Sequence, residues 1–419
     1  MRMNKMFDDE FCQYIADINN KGWFDEFSNN HFLIKTLEGD INYFNKYKHL
    51  IKGSLYYSNN TDNAINFITN FSHKFQFFSR HFKEKQMEKF VKDQLSAGKK
   101  NYDESQFFRA LSEINVINFL LTFGPARLKE AIYEPRLGKN GSNPEARLIY
   151  ENGITVDVEV KTPGFNIKEP KNLNTKEIVF PYILLEEKER TYIQQLCDKN
   201  KFEFILPRVN KLKDFINSAG KKFVKPKNKN YINLLFINWT YTEVKRRGYM
   251  EPYSLLYNNL NGLLKNKEAA LSIGIDEDAL EKITAIIVYQ DSFDSIIFGD
   301  MRHIWNGYNF RMLPNHMLNK ALLDMDILRD ITKMNQPNNN DELIPYEIEV
   351  KSENLYKILK ITDYINNLIK NKMDDKNDNI TYFNLDYLNK KLEKDREKLE
   401  KMRQLEKQGF RFNYRDIDF

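Results

Sequence analysis

NGSNPEARLIYENGITVDVEVKTP, residues Asn140 to Pro163, decides how the rest of the chain is read. It holds two short extended runs, Glu145–Glu151 and Ile154–Lys161, on either side of Asn152-Gly153. That pair suits a two-residue type I′ turn, so a β-hairpin is expected. The second run alternates strictly. Val156, Val158 and Val160 share one face, and Thr155, Asp157, Glu159 and Lys161 share the other. Stacked carboxylates repel unless a positive charge lies between them. A divalent cation beside Lys161 would supply it; a solvated strand face is the bland alternative.

Outward from the hairpin, Asp103 reads as an N-cap, with Gln106 completing a capping box. The helix it opens runs to about Phe123 and ends at Gly124-Pro125. Its apolar residues are broad enough for burial on more than one side. Glu113 falls among them, either on a narrow polar strip or as a carboxylate aimed at the sheet's polar edge. Lys129–Leu137 is a weak strand candidate. A helix is expected within Gly164–Arg208, and Lys211–Phe223 reads as an amphipathic helix. In that helix Leu212, Phe215, Ile216 and Ala219 face inward, and Lys211, Lys213, Lys221 and Lys222 outward. Tyr231–Trp239 and Ile283–Tyr289 are nearly continuous apolar runs, the pattern of strands buried on both faces. A helix near Asp276–Lys282 precedes the second.

This order resembles the PD-(D/E)XK nuclease superfamily, the fold of many restriction enzymes and Holliday-junction resolvases. The matching residues are Pro144-Glu145, Glu159-Val160-Lys161 and the helical Glu113, within about Asp103 to Trp239. The resemblance implies an α/β fold with a restriction-endonuclease-like mixed sheet core, in the order αβββαβ. N- and C-terminal helical regions would flank it, giving residues 1–98, 99–333 and 334–419. It also implies a Mg²⁺-dependent endonuclease, with Mn²⁺ able to substitute, that hydrolyses phosphodiester bonds of nucleic acid. DNA and a role in prokaryotic restriction or antiviral defence are expected. Glu145, Glu159 and the Val160 carbonyl would hold the metal, Lys161 would stabilise the phosphorane charge, and Glu113 would assist. The first acid is usually Asp, so Asp157 stays open as supplying or sharing the Glu145 role. A nuclease fold kept as a non-catalytic nucleic-acid-binding or scaffold module is the alternative. Arg208, Lys211, Lys213, Lys221 and Lys222 form a candidate phosphate-tracking edge, balanced against a solvated helix face.

The remaining features are broader. The chain has 419 residues, 29% of them charged, with net charge +5 and mean hydropathy −0.64. No apolar run approaches the roughly 20 residues that span a bilayer, and MRMNKMFDDEF lacks a signal-peptide core, so a cytoplasmic protein is expected. Cys12 and Cys197 imply no disulfide framework. The six histidines show no HxxH or HExxH pairing, and His73 and His81, set among phenylalanines, read as structural or surface residues. Residues 1–98 read as helical. Asn335–Glu342 reads as a linker before two helical segments, near Tyr346–Met373 and Leu385–Gln408. Those segments could mediate a homo-oligomer or partner contact.

Overall fold

In the computed structural model, the described residues are 12–47, 59–138, 141–163, 177–179, 187–199, 203–205, 208–239, 250–257, 262–290, 293–298 and 310–332, with a few positions between 400 and 408. The expected linker and the two C-terminal helical segments lie largely outside these residues. The chain divides into two compact units. The first comprises residues 1–171, 208–257 and 263–337, and the second 172–207, 258–262 and 338–419. The second contains the parallel strand pair β4 (Glu177–Val179) and β5 (Glu203–Ile205) and a helix, Glu187–Lys199, within the span where one was expected.

The first unit is mixed α/β. Its sheet runs in the order β1-β2-β3-β6-β7-β8, with β1 Leu128–Tyr133, β2 Ala146–Tyr150, β3 Thr155–Lys161, β6 Tyr231–Asn238, β7 Ala285–Tyr289 and β8 Phe310–Pro314. The three central strands, β3, β6 and β7, are parallel, and β1, β2 and β8 join antiparallel at the two sides. Parallel pairing requires crossovers, and the helix Val209–Lys222 lies in the one from β3 to β6. β6 and β7 are buried almost throughout, which explains their unbroken apolar sequence.

The helix Glu104–Phe123 is capped by Asp103, whose carboxylate accepts from the Ser105 N–H at 2.9 Å. Val116, Phe119 and Leu120 of this helix pack on Leu148, Val156, Val158, Leu234 and Phe236. This covers the valine face of β3 and leaves Asp157, Glu159 and Lys161 facing away from that core. The earlier turns of the same helix enter a second, strongly aromatic core. Phe107 and Phe108 pack there around Phe32 with Phe44, Tyr47 and Phe67. One buried cluster thus runs from Cys12 through the N-terminal helices to Tyr133 and Ala146 of the sheet. In the helix Asn60–Ser79, Ile68, Phe71 and Phe75 face this core as their spacing predicts, whereas Ile65 is exposed.

The hairpin turn differs from the expected type. Asn152 does not adopt positive φ, and only Gly153 does, at 82°. Gly153 N–H donates to Tyr150 O at 3.0 Å and Tyr150 N–H to Ile154 O at 2.9 Å. The loop is therefore three residues, Glu151-Asn152-Gly153, with glycine at the left-handed position. A type I′ turn needs both central residues left-handed.

Candidate active site

Loop length sets which residues meet across the hairpin. Ala146 pairs with Val158 and Arg147 with Asp157. The pairing ends at Ala146; Glu145, just before it, gives its N–H to Val158 O at 2.9 Å, and its carboxyl lies close enough to that of Glu159 for the two charges to repel. A two-residue loop would have shifted the pairing by one and set Ala146 opposite Glu159. Glu159 is fully buried and Glu145 nearly so. Two facing acids at this depth demand a positive charge.

Lys222, in the last turn of the Val209–Lys222 helix, supplies it. Its Nζ lies 2.7 Å from Glu159 Oε1 and 3.2 Å from Glu145 Oε1. This corrects the outward placement expected for Lys222. Position 222 lies three residues after the buried Ala219 and seven after the buried Phe215, so the inward stripe carries it to the sheet. The helical period was the signal that could have found it. Lys161 Nζ reaches the same Glu159 Oε1 at 2.5 Å. Among the described residues, Glu159 Oε2 and Glu113 Oε1 have no hydrogen-bond partner.

Glu113 is buried rather than on an exposed strip. It comes from the Glu104–Phe123 helix and lies beside Tyr133 of β1. Burial, then the Glu145 charge, raises its carboxyl well above the ordinary range. Burial and repulsion from Glu159 push Glu145 up to about 7. Lys222 is raised: the two neighbouring carboxylates outweigh burial, which acts the other way. The group thus combines one acid held towards its neutral form, two facing acids and two ammonium groups. Hard cations take carboxylate oxygens, and Mg²⁺ is commonly held by one or two of them. Glu145 and Glu159 fit that donor chemistry. Among the described residues no three His, Cys, Asp or Glu side chains converge as a chelating group.

Asp157 departs from the role left open for it. Arg147 holds it through two parallel bonds, and Tyr231 OH donates to Oδ2 at 2.7 Å. Its charge is spent in this buried fork, two residues along β3 from Glu159, so it leaves the candidate ligand set. Arg147 and Tyr231 were missed. Arg147 lies two residues beyond Glu145, on the same strand face, and was legible only once the register was known.

The proposed phosphate-tracking edge is divided. Arg208 turns inward, with its N–H donating to Glu251 Oε1 at 2.9 Å, its guanidinium 3.3 Å from Glu251 Oε2 and lying over Trp239. This corrects its assignment to a nucleic-acid surface. Lys211 lies over the Phe215 ring, with Nζ 5.2 Å from the centroid. Lys213 is half-buried, and Lys221 is exposed one residue from the site. Among the described residues no helix is long and apolar enough to cross a membrane. Comparison with protein-family models, with curated proteins and with solved structures finds no significant match to this chain.

Proposed function

We propose that this chain is a metal-dependent nuclease of the PD-(D/E)XK kind, with Glu145, Glu159 and Lys161 as its centre. The observation that carries this reading is the approach of the Glu145 and Glu159 carboxyls at a buried position, with Lys161 on Glu159. Mg²⁺ bound there would supply an acidified water and neutralise charge on a scissile phosphate. Glu145 and Glu159 would bind the metal, with the Val160 carbonyl as a further ligand. Lys161 would hold the attacking water and stabilise charge on the phosphorane. Glu113, held towards its protonated form, would donate a hydrogen bond to a phosphate or water oxygen. The exposed Lys221 would meet the nucleic-acid backbone, with Lys211 and Lys213 along the same helix. DNA is the substrate expected, and a defence role is the context.

A second reading has one observation in its favour. Lys222 already fills the space between the acids, as it would in a nuclease fold kept only for binding nucleic acid or as a scaffold. One assay separates the two. The purified chain is incubated with plasmid, linear and single-stranded DNA and with RNA, in Mg²⁺, Mn²⁺ or EDTA. Cleavage that needs metal and is lost in Glu159→Ala supports the nuclease; retained binding without cleavage in any metal supports the module.

A further inference from the structure

Two carboxylates facing each other across a hairpin are stable only with a cation between them, and here that cation is a side chain. We propose that Lys222 is a resident cation that holds Glu145 and Glu159 in the metal-free protein and is displaced when a divalent cation binds. The proposal rests on the nuclease reading, because it takes the same two acids as metal ligands. The geometry makes the two cations alternatives. The Lys222 ammonium is within 3.2 Å of an oxygen of both acids, so a metal shared by those oxygens would overlap it and repel it. Lys161 does not duplicate this bridge, since its ion pair in the site is with Glu159.

The surroundings specify what would move. The backbone beside Lys222 is pinned on two sides. Ser142 Oγ donates to Lys221 O at 2.9 Å, and Lys282 Nζ donates to Gly220 O at 3.0 Å. Phe223, the next residue, is buried. The helix end is therefore fixed, and the flexible four-carbon stem of Lys222 is the part free to swing. The side chain is 23% exposed, so it has a path out of the pocket. Once displaced it remains tethered at the rim, where the phosphate of a nucleic acid would arrive. Lys222 then serves the apo protein as a metal surrogate and the loaded protein as a phosphate contact.

The test is calorimetric titration of Mn²⁺ into the metal-stripped full chain at pH 8, for wild type, Lys222→Met, Lys222→Gln and Lys221→Met. Removing a competing unit charge from a partly buried pair is expected to tighten Mn²⁺ binding roughly tenfold or more in both Lys222 variants. Lys221→Met loses the same net charge outside the pocket and should stay within about twofold of wild type. In thermal unfolding, the metal-free Lys222 variants should melt below wild type and gain more from Mn²⁺ than wild type does. Equal or weaker Mn²⁺ binding in the Lys222 variants overturns the exchange and leaves the metal reading standing. Absence of Mn²⁺ binding in every protein overturns both. Lys222→Gln keeps a donor without the charge, so the comparison survives if Lys222→Met does not fold.

Discussion

Arg147 grips Asp157 as a fork, Nε to Oδ1 at 2.7 Å and Nη2 to Oδ2 at 2.8 Å, two residues along β3 from Glu159, which shares Lys222 with Glu145. The two acids Asp157 and Glu145 therefore have different consequences when changed. Asp157→Asn should destabilise the fold by about 2 kcal/mol, because it leaves a partly buried guanidinium without its charge partner. Its Mn²⁺ affinity should stay within a few-fold of wild type. Glu145→Gln should abolish Mn²⁺ binding while leaving the urea midpoint close to wild type. The reverse ranking, read by calorimetry and urea unfolding, would make Asp157 the ligand.

Glu159 and Lys161 are expected to be needed for chemistry rather than for binding nucleic acid. Glu159→Ala and Lys161→Ala should each lower the rate of plasmid cleavage by roughly 10²–10³-fold or more. Binding of a labelled duplex in Ca²⁺ should change little. Wild-type cleavage by either variant would remove the proposed mechanism.

The helix that carries Lys222 is seated by a glycine. A Cβ at Gly220 would come within 2.3 Å of Ala279 Cβ and 2.6 Å of Ala279 Cα. Gly220→Ala should push the helix off its neighbour and cost about 1–3 kcal/mol in urea unfolding. Adding Ala279→Gly should recover part of that loss. If Gly220→Ala is neutral, the close packing is not what fixes the Lys222 backbone.

His31 gives the N-terminal region a pH dependence. Its Nδ1 accepts from the Leu33 N–H at 3.1 Å, and Nε2 lies 2.9 Å from Leu95 O. The ring is packed among Phe27, Tyr102 and Phe107. Burial lowers its pKa from 6.5 to about 3. The unfolded chain therefore takes up the proton first. The stability this provides is complete above about pH 6.5 and is lost as pH falls towards 3, at up to about 1.4 kcal/mol per pH unit. Glu113 and Glu145, raised on folding, contribute with the opposite sign, so the quantity to measure is the difference between wild type and His31→Gln. Unfolding free energies of the two proteins should converge as pH falls from 6.5. A constant gap would show that the ring is not held neutral.

What the sequence determined by itself was local. Strict alternation placed Glu159 and Lys161 on the face of β3 opposite its valines, because a strand turns each residue over from the last. Asp103 and Gly124 bounded the long helix, because capping is settled within one turn. Unbroken apolar runs marked the strands buried on both faces. What only the tertiary structure decided was which charges meet. A third loop residue, too small a feature to read from Asn152-Gly153, set the pairing that brings Arg147 to Asp157. Lys222 follows a lysine in a run whose local pattern points it outward, and the close seat of its helix at Gly220 brings it inward to the two acids. Arg208 was likewise taken inward by Glu251, an acid 43 residues later. A charge's partner is fixed by distance in space, and a single chain's sequence records that distance only where the two residues share an element.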